Sequence, residues 1–185
     1  FMMEVEAGYT SHYLEPGRFS TGIEVNPSVR FSNRFSGEAD FNLELDKKDE
    51  GYAGMAGDEI IFGQRDNRTL SCEMDLSYMF SAHSYISFRM REYWAQAAYT
   101  GSYFRLNVDG SLTPVDASRS DNTSYNAFNA DINYTWRFAP GSELTLMLKN
   151  ALYDSEDIIP ATLGDNLKGL WAQNITRSLS CKVIW

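Results

Sequence analysis

Apolar and polar residues alternate along most of this chain. From Thr69 to Phe80 the even positions are Leu70, Cys72, Met74, Leu76, Tyr78 and Phe80, and the odd positions are Thr69, Ser71, Glu73, Asp75 and Ser77. Successive side chains of an extended strand point to opposite faces, so this segment predicts a strand with one apolar and one hydrated, anionic face. The same reading predicts eight long strands, over residues 2–13, 22–32, 38–46, 69–80, 85–95, 126–138, 143–152 and 175–185. The cleanest is the third, where Ala39, Phe41, Leu43 and Leu45 interleave with Glu38, Asp40, Asn42, Glu44 and Asp46. The second contains Pro27, which has no N–H to give a sheet ladder. Glu92, Asn150 and Arg177 fall on the apolar parity, which predicts for each either a place at a membrane rim or a bulge.

The connections alternate in length. Short turns are expected at Asn33–Gly37, Ser81–Ser84 and Ala139–Ser142, and long connections at 47–68, 96–124 and 153–174, with Leu14–Thr21 intermediate. Short turns on one side and long loops on the other are the asymmetry of outer-membrane barrels, whose short turns are periplasmic. Within the first long connection, Glu59–Gly63 is a candidate extra strand. The fold class expected is therefore all-β: an antiparallel transmembrane β-barrel with about eight main strands in residues 1–185. The competing all-β reading, a soluble sandwich, requires two apolar faces packed on each other.

Composition alone conceals this. A net charge of −9, 22% charged residues and a mean hydropathy of −0.38 describe an ordinary acidic soluble protein. No run approaches the roughly 18 apolar residues that a spanning helix needs. Barrel strands are half polar, so such averages miss them. The 11 Tyr, 11 Phe and 4 Trp suit aromatic girdles at the two interfaces. The N-terminal residues Phe1–Glu6 lack a basic export region, and since an outer-membrane protein must be exported, a mature or trimmed piece of a longer protein is expected. Cys72 and Cys181 both fall on the apolar parity and read as small hydrophobes rather than as a disulfide.

The polar parity is the informative surface. The residues expected to line a lumen are Glu24, Arg30, Asp40, Glu44, Glu73, Asp75, Arg89, Arg91, Asp131, Arg137 and Lys149. Acids concentrate in the first four strands and bases in the later ones. This charge distribution suits a polarised channel selecting charged and hydroxylated solutes, and equally an ion-pair network that fills a narrow lumen. At the C-terminus, Leu179, Cys181, Val183 and Trp185 alternate up to a terminal aromatic and resemble the signal read by the barrel-assembly machinery.

Catalytic chemistry is sparse. His12 and His83 are the histidines, and Ser11 next to His12 points to the opposite face of a strand, so this pair makes no dyad. No Cys/His cluster has zinc spacing and no Gly-rich phosphate loop occurs, so no enzyme, cofactor or metal site is expected. The acidic stretches 46–50 with 58–59, and Asp154, Glu156 and Asp157, read as solvated loops without calcium-loop spacing. Tyr52, Tyr99, Tyr103 and Phe104 are expected in external loops, packed at their tips or stacked on sugars.

Two runs resemble a known family. These are Phe62-Gly63-Gln64-Arg65-Asp66-Asn67-Arg68-Thr69-Leu70-Ser71, continued by 75–80, and the run 125–144 containing the turn Trp136-Arg137-Phe138-Ala139-Pro140-Gly141-Ser142. They resemble uncharacterised Bacteroidota outer-membrane proteins that join an N-terminal, family-9-like carbohydrate-binding sandwich to a C-terminal barrel. The resemblance covers most of 67–185, and the 136–142 turn is its most specific part. It implies a bacterial outer-membrane location and that residues 1–185 are the C-terminal portion of a larger barrel, and carries over no sugar-binding residue and no activity. Trp185, on the short-turn side, is expected in the periplasm. The function expected is a passive or glycan-associated uptake channel, or alternatively a non-conducting docking barrel in an envelope complex. The partners expected are outer-membrane lipid and lipopolysaccharide, the assembly machinery and other complex subunits, and no nucleic acid.

Overall fold

The computed structural model describes residues 1–116, 119–160 and 162–185. These form one antiparallel sheet of nine strands: β1 (Met2–Ser11), β2 (Phe19–Arg30), β3 (Phe35–Ala56), β4 (Glu59–Ser81), β5 (Ser84–Leu106), β6 (Leu112–Val115), β7 (Thr123–Ala139), β8 (Ser142–Glu156) and β9 (Thr176–Ile184). Spatial order follows chain order, β1-β2-β3-β4-β5-β7-β8-β9, with the short β6 folded back on the end of β5. All eight expected strands are present. The three short turns fall where the sequence placed them, and all lie at one end of the sheet.

The sheet is open. β1 pairs only with β2 and β9 only with β8, so each leaves a free ladder edge. The expected barrel is therefore found as an open antiparallel sheet, not a closed cylinder. Among the described residues no second sheet covers either face, which removes the sandwich alternative's central requirement.

Pairing sorts side chains into two faces, because residues directly opposite in an antiparallel pair share a face. One apolar row runs Val29, Gly37, Leu76, Phe88, Ile132, Leu148, Leu179 across β2, β3, β4, β5, β7, β8 and β9. Two residues further along, Pro27 faces Met3 of β1, and the β2–β3 ladder is interrupted between Val25↔Phe41 and Ser28↔Glu38, as a residue without an N–H requires.

Four expectations need correction. First, β3, β4 and β5 run well past 46, 69 and 95, so the supposed loop 47–68 is an extended hairpin that absorbs Glu59–Gly63 into β4. Its tip is at Gly57, which adopts a positive φ of 62°. Backbone pairing does not need alternation, so a ladder can outlast the pattern that reveals it. Second, Asp46–Glu50 and Tyr52 lie in β3, and Tyr99, Tyr103 and Phe104 in β5, not in loops. Third, the connection 153–174 contains the helix α1 (Leu163–Trp171). It is capped by Thr162, whose Oγ1 accepts from the Asp165 N–H at 3.1 Å. Fourth, Glu92, Asn150 and Arg177 mark no bulge. Asn150 pairs in register with Arg177, and the register shifts fall instead at 46/49, 52/54, 63/65, 79/81 and 137/139.

Candidate functional site

The polar face is the candidate site. All eleven residues expected to line a lumen lie on it: Glu24, Arg30, Asp40, Glu44, Glu73, Asp75, Arg89, Arg91, Asp131, Arg137 and Lys149. One row crosses five strands as Glu38, Asp75, Arg89, Asp131, Lys149. The next row carries Asp40, Glu73, Arg91 and Asn129. The Arg89 Nε donates to Asp75 Oδ1 at 2.7 Å and lies 3.5 Å from Glu73 Oε1. The Arg91 Nη2 donates to Asp131 Oδ2 at 3.2 Å, and the Arg137 Nε to Glu143 Oε2 at 3.2 Å. Charges of opposite sign therefore meet across β4, β5 and β7.

Toward β1 the balance reverses. Glu6 stands opposite Glu24, Glu38 opposite Asp75 and Asp40 opposite Glu73. Directly opposed like charges weaken a sheet, so this half of the face is held with an unbalanced negative field. Asn26 Nδ2 donates to Glu24 at 2.8 Å, and Asn42 Nδ2 to Glu44 at 3.4 Å, which spreads but does not cancel the charge. Two shallow hollows of about 330 and 340 Å³ lie here. One is lined by Ser28, Ser36, Glu38, Asp75 and Ser87, the other by Asn26, Asp40, Glu73 and Arg89.

The apolar face carries a second ordered feature. At the short-turn end its aromatics form two nearly continuous chains. Phe31 stacks on Phe35 at 4.7 Å, Phe35 meets Tyr78 at 6.3 Å, Tyr78 meets Phe80 at 5.1 Å and Phe80 meets Tyr134 at 6.3 Å. Trp136 then meets Phe138 at 5.6 Å, and Phe138 meets Trp185 at 6.1 Å. Leu179, Cys181 and Val183 face Leu148, Leu146 and Leu144 on this side, so the expected C-terminal signal is one apolar stripe ending in this aromatic band. Both cysteines are free.

The outer hairpins hold a third cluster. Tyr99 and Tyr103 stack at 5.9 Å with rings 8° apart. The Arg65 guanidinium lies 6.0 Å from the Tyr99 centroid and that of Arg119 5.9 Å from Tyr103. Arg65 Nε also donates to Asp49 Oδ2 at 3.0 Å, so the acidic stretch at 46–50 is engaged in pairing. Asp66 accepts from the Lys47 side chain and the Lys48 N–H. Burial pushes its carboxyl upward, but those hydrogen bonds prevail and hold it below the ordinary value. A hollow of about 480 Å³ beside this cluster is lined by Tyr52, Tyr99, Asp121, Asn122 and Asp157.

His12 follows β1 and its backbone N–H donates to the Arg18 carbonyl, while His83 sits in the turn between β4 and β5. Among the described residues no group of three or more His, Cys, Asp or Glu side chains is placed to hold a metal ion. Among the described residues no helix is long and apolar enough to cross a membrane. The sequence reading missed α1, although Thr162 three residues before Asp165 is a capping signature. The family model described as a domain of unknown function (DUF5916) matches residues 1–185. No curated protein matches, and no solved structure matches.

Proposed function

We propose that this chain, which belongs to the DUF5916 family, is a wall of an integral outer-membrane β-barrel with a charged, water-filled lumen. In this reading it serves as a passive channel for charged or hydroxylated solutes, glycans among them. One observation carries the reading: a single antiparallel sheet whose two faces are segregated, one apolar and uncovered except where α1 rests on its outer end, the other ionic. Large apolar side chains such as Phe41, Tyr78, Trp136, Leu148 and Leu179 are 37–76% exposed on one side. A water-soluble protein rarely leaves so extended an apolar surface bare, whereas lipid covers it at no cost. The aromatic band at the short-turn end fits an interfacial girdle, and in this reading those turns and Trp185 lie on the periplasmic side, as short barrel turns do. The free edges of β1 and β9 are then satisfied by further strands, since an unpaired edge in hydrocarbon leaves backbone groups without partners. The rest of the setting follows: lipopolysaccharide and lipid against the apolar face, and the assembly machinery during insertion.

Bilayer recordings on the full-length protein test this. The acid-rich wall predicts cation-preferring conductance, and Arg89→Ala together with Arg91→Ala strengthens that preference. A second reading rests on the alternating row Asp75, Arg89, Asp131, Lys149, whose charges neutralise one another across four strands. Such a network suits a closed lumen in a docking subunit. Absence of conductance, with partner chains retained through detergent purification, selects that alternative.

A further inference from the structure

On the apolar face, polarity returns at the end of the strands away from the short turns. Glu92, Asn126 and Asp154 occupy that side of β5, β7 and β8. This zone is where α1 and the segment before it settle. The Trp171 ring lies 6.0 Å from Phe128, Gln173 Nε2 donates to Asp154 Oδ1 at 3.1 Å, and Gln96 Nε2 donates to the Pro160 carbonyl at 3.3 Å. On this face Glu92 and Asn126 are only 7% and 2% exposed, and Asn166 of α1 itself 5%. Both Glu92 carboxylate oxygens, both Asn126 amide atoms and Asn166 Nδ2 make no hydrogen bond there.

Burying polar groups without partners is costly when the alternative is water. Against hydrocarbon, which offers nothing to hydrogen-bond either, the same burial carries no such penalty. The outward side of the cover suits a boundary layer. Trp171 is 65% exposed and Ile158 72%, while the Lys168 side chain is largely free. Tryptophan prefers the headgroup level, and lysine carries its charge outward from it. Through Trp171 and Phe128 this surface is continuous with the apolar belt.

We propose that α1 is an interfacial collar: it lies in the outer headgroup layer, anchored by Trp171, and shields the buried polar side chains around Asn126 from lipid. The proposal rests on the barrel reading, and its test separates the two. The full-length protein is reconstituted in phosphatidylcholine vesicles whose lipids carry bromine either near the headgroup or deep in the acyl chain. Trp171 emission is the difference between the parent and W171F, and Trp136 emission the difference between the parent and W136F. The collar predicts that Trp171 loses emission mainly to the shallow bromines. Quenching of Trp136 with Trp171 untouched, or Trp171 quenched mainly by the deep bromines, overturns the collar and leaves the barrel standing. If neither tryptophan is quenched, the barrel reading falls and the collar with it. Should W171F fail to insert, W171Y serves in the same subtraction, its emission lying apart from that of tryptophan.

Discussion

The half of the sheet next to the short turns and the half beyond about residue 68 of β4 obey different rules. In the first, alternation holds apart from Glu92, Asn150 and Arg177, register is unbroken over long stretches, and each face has its own character. In the second, β3 and β4 carry three register shifts within about ten residue pairs, and stability comes from specific contacts: Arg65 with Asp49, Tyr99 on Tyr103, Arg119 with Asp121. A strand has to alternate only where its two sides meet different media. In the barrel reading the turn-proximal half separates lipid from water. The outer half meets water on both sides and is free to be built like a small soluble protein. Strand length agrees: the 22 residues of β3 extend to about 75 Å at the usual rise, well beyond a tilted span of 9–11 residues.

The sharpest way to break the contrast is to place a charge in the middle of the belt. Phe88→Arg is expected to destabilise the protein by about 2–4 kcal/mol in vesicles, as a charge at the bilayer midplane does. Tyr52→Arg, in the outer hairpin, is expected to stay within about 0.5 kcal/mol. Urea unfolding of both variants in phospholipid vesicles reads the difference, and equal losses would erase the two-media interpretation.

Close packing in the outer half gives the next effect. A Cβ at Gly63 meets Tyr99 Cε1 at 2.5 Å, in the middle of the stacked pair. Gly63→Ala should therefore cost about 1–3 kcal/mol, the usual range for overpacking. Gly8→Ala has open space around its new methyl and should be nearly silent. Amide exchange across β3–β5 would show whether the Gly63 loss is confined to the outer half.

On the polar face, Arg89→Ala removes the only cation touching both Asp75 and Glu73 among the described residues. The pair is half exposed, so its loss should cost no more than about 1 kcal/mol. Its larger consequence is electrostatic, because Glu38, Asp75, Asp40 and Glu73 then lose their nearest cation and keep only Arg91 across from Glu73. Reversal potentials in a salt gradient should move toward greater cation preference.

The smallest effect is a pH dependence in the outer half. The Asp66 carboxyl is held below its ordinary value by Lys47 and Lys48, so it binds its proton less readily when folded than when unfolded. The stabilisation is complete above the unfolded value and is lost as pH falls through the folded one. Protection of the β3–β4 hairpin should therefore weaken below the ordinary carboxylate range, and D66N should flatten that dependence.

The contrast also explains what could be read beforehand. Where Leu70, Cys72, Met74 and Leu76 alternate with Ser71, Glu73 and Asp75, strand, face and register were all legible, and the eleven polar-face residues fell together as a consequence. Past Thr69 the hairpin reads as a loop, because Arg65, Asp66 and Asn67 carry no period-2 signal although all three pair with β5, and Arg65 and Asn67 with β3 as well. Glu92 shows the opposite failure. It kept its register on the apolar face, yet it is only 7% exposed, and that burial has no trace in the alternation around it.

The sequence by itself determined the strands, their short turns and the division of side chains between two faces, since each depends on the local geometry of an extended chain. Tertiary structure alone decided how far the outer hairpins continue, that α1 lies over the apolar face, that Glu92 and Asn126 are buried there, and that β1 and β9 remain apart. Those outcomes depend on backbone pairing and on contacts between distant segments, and neither leaves a periodic trace in the residues themselves.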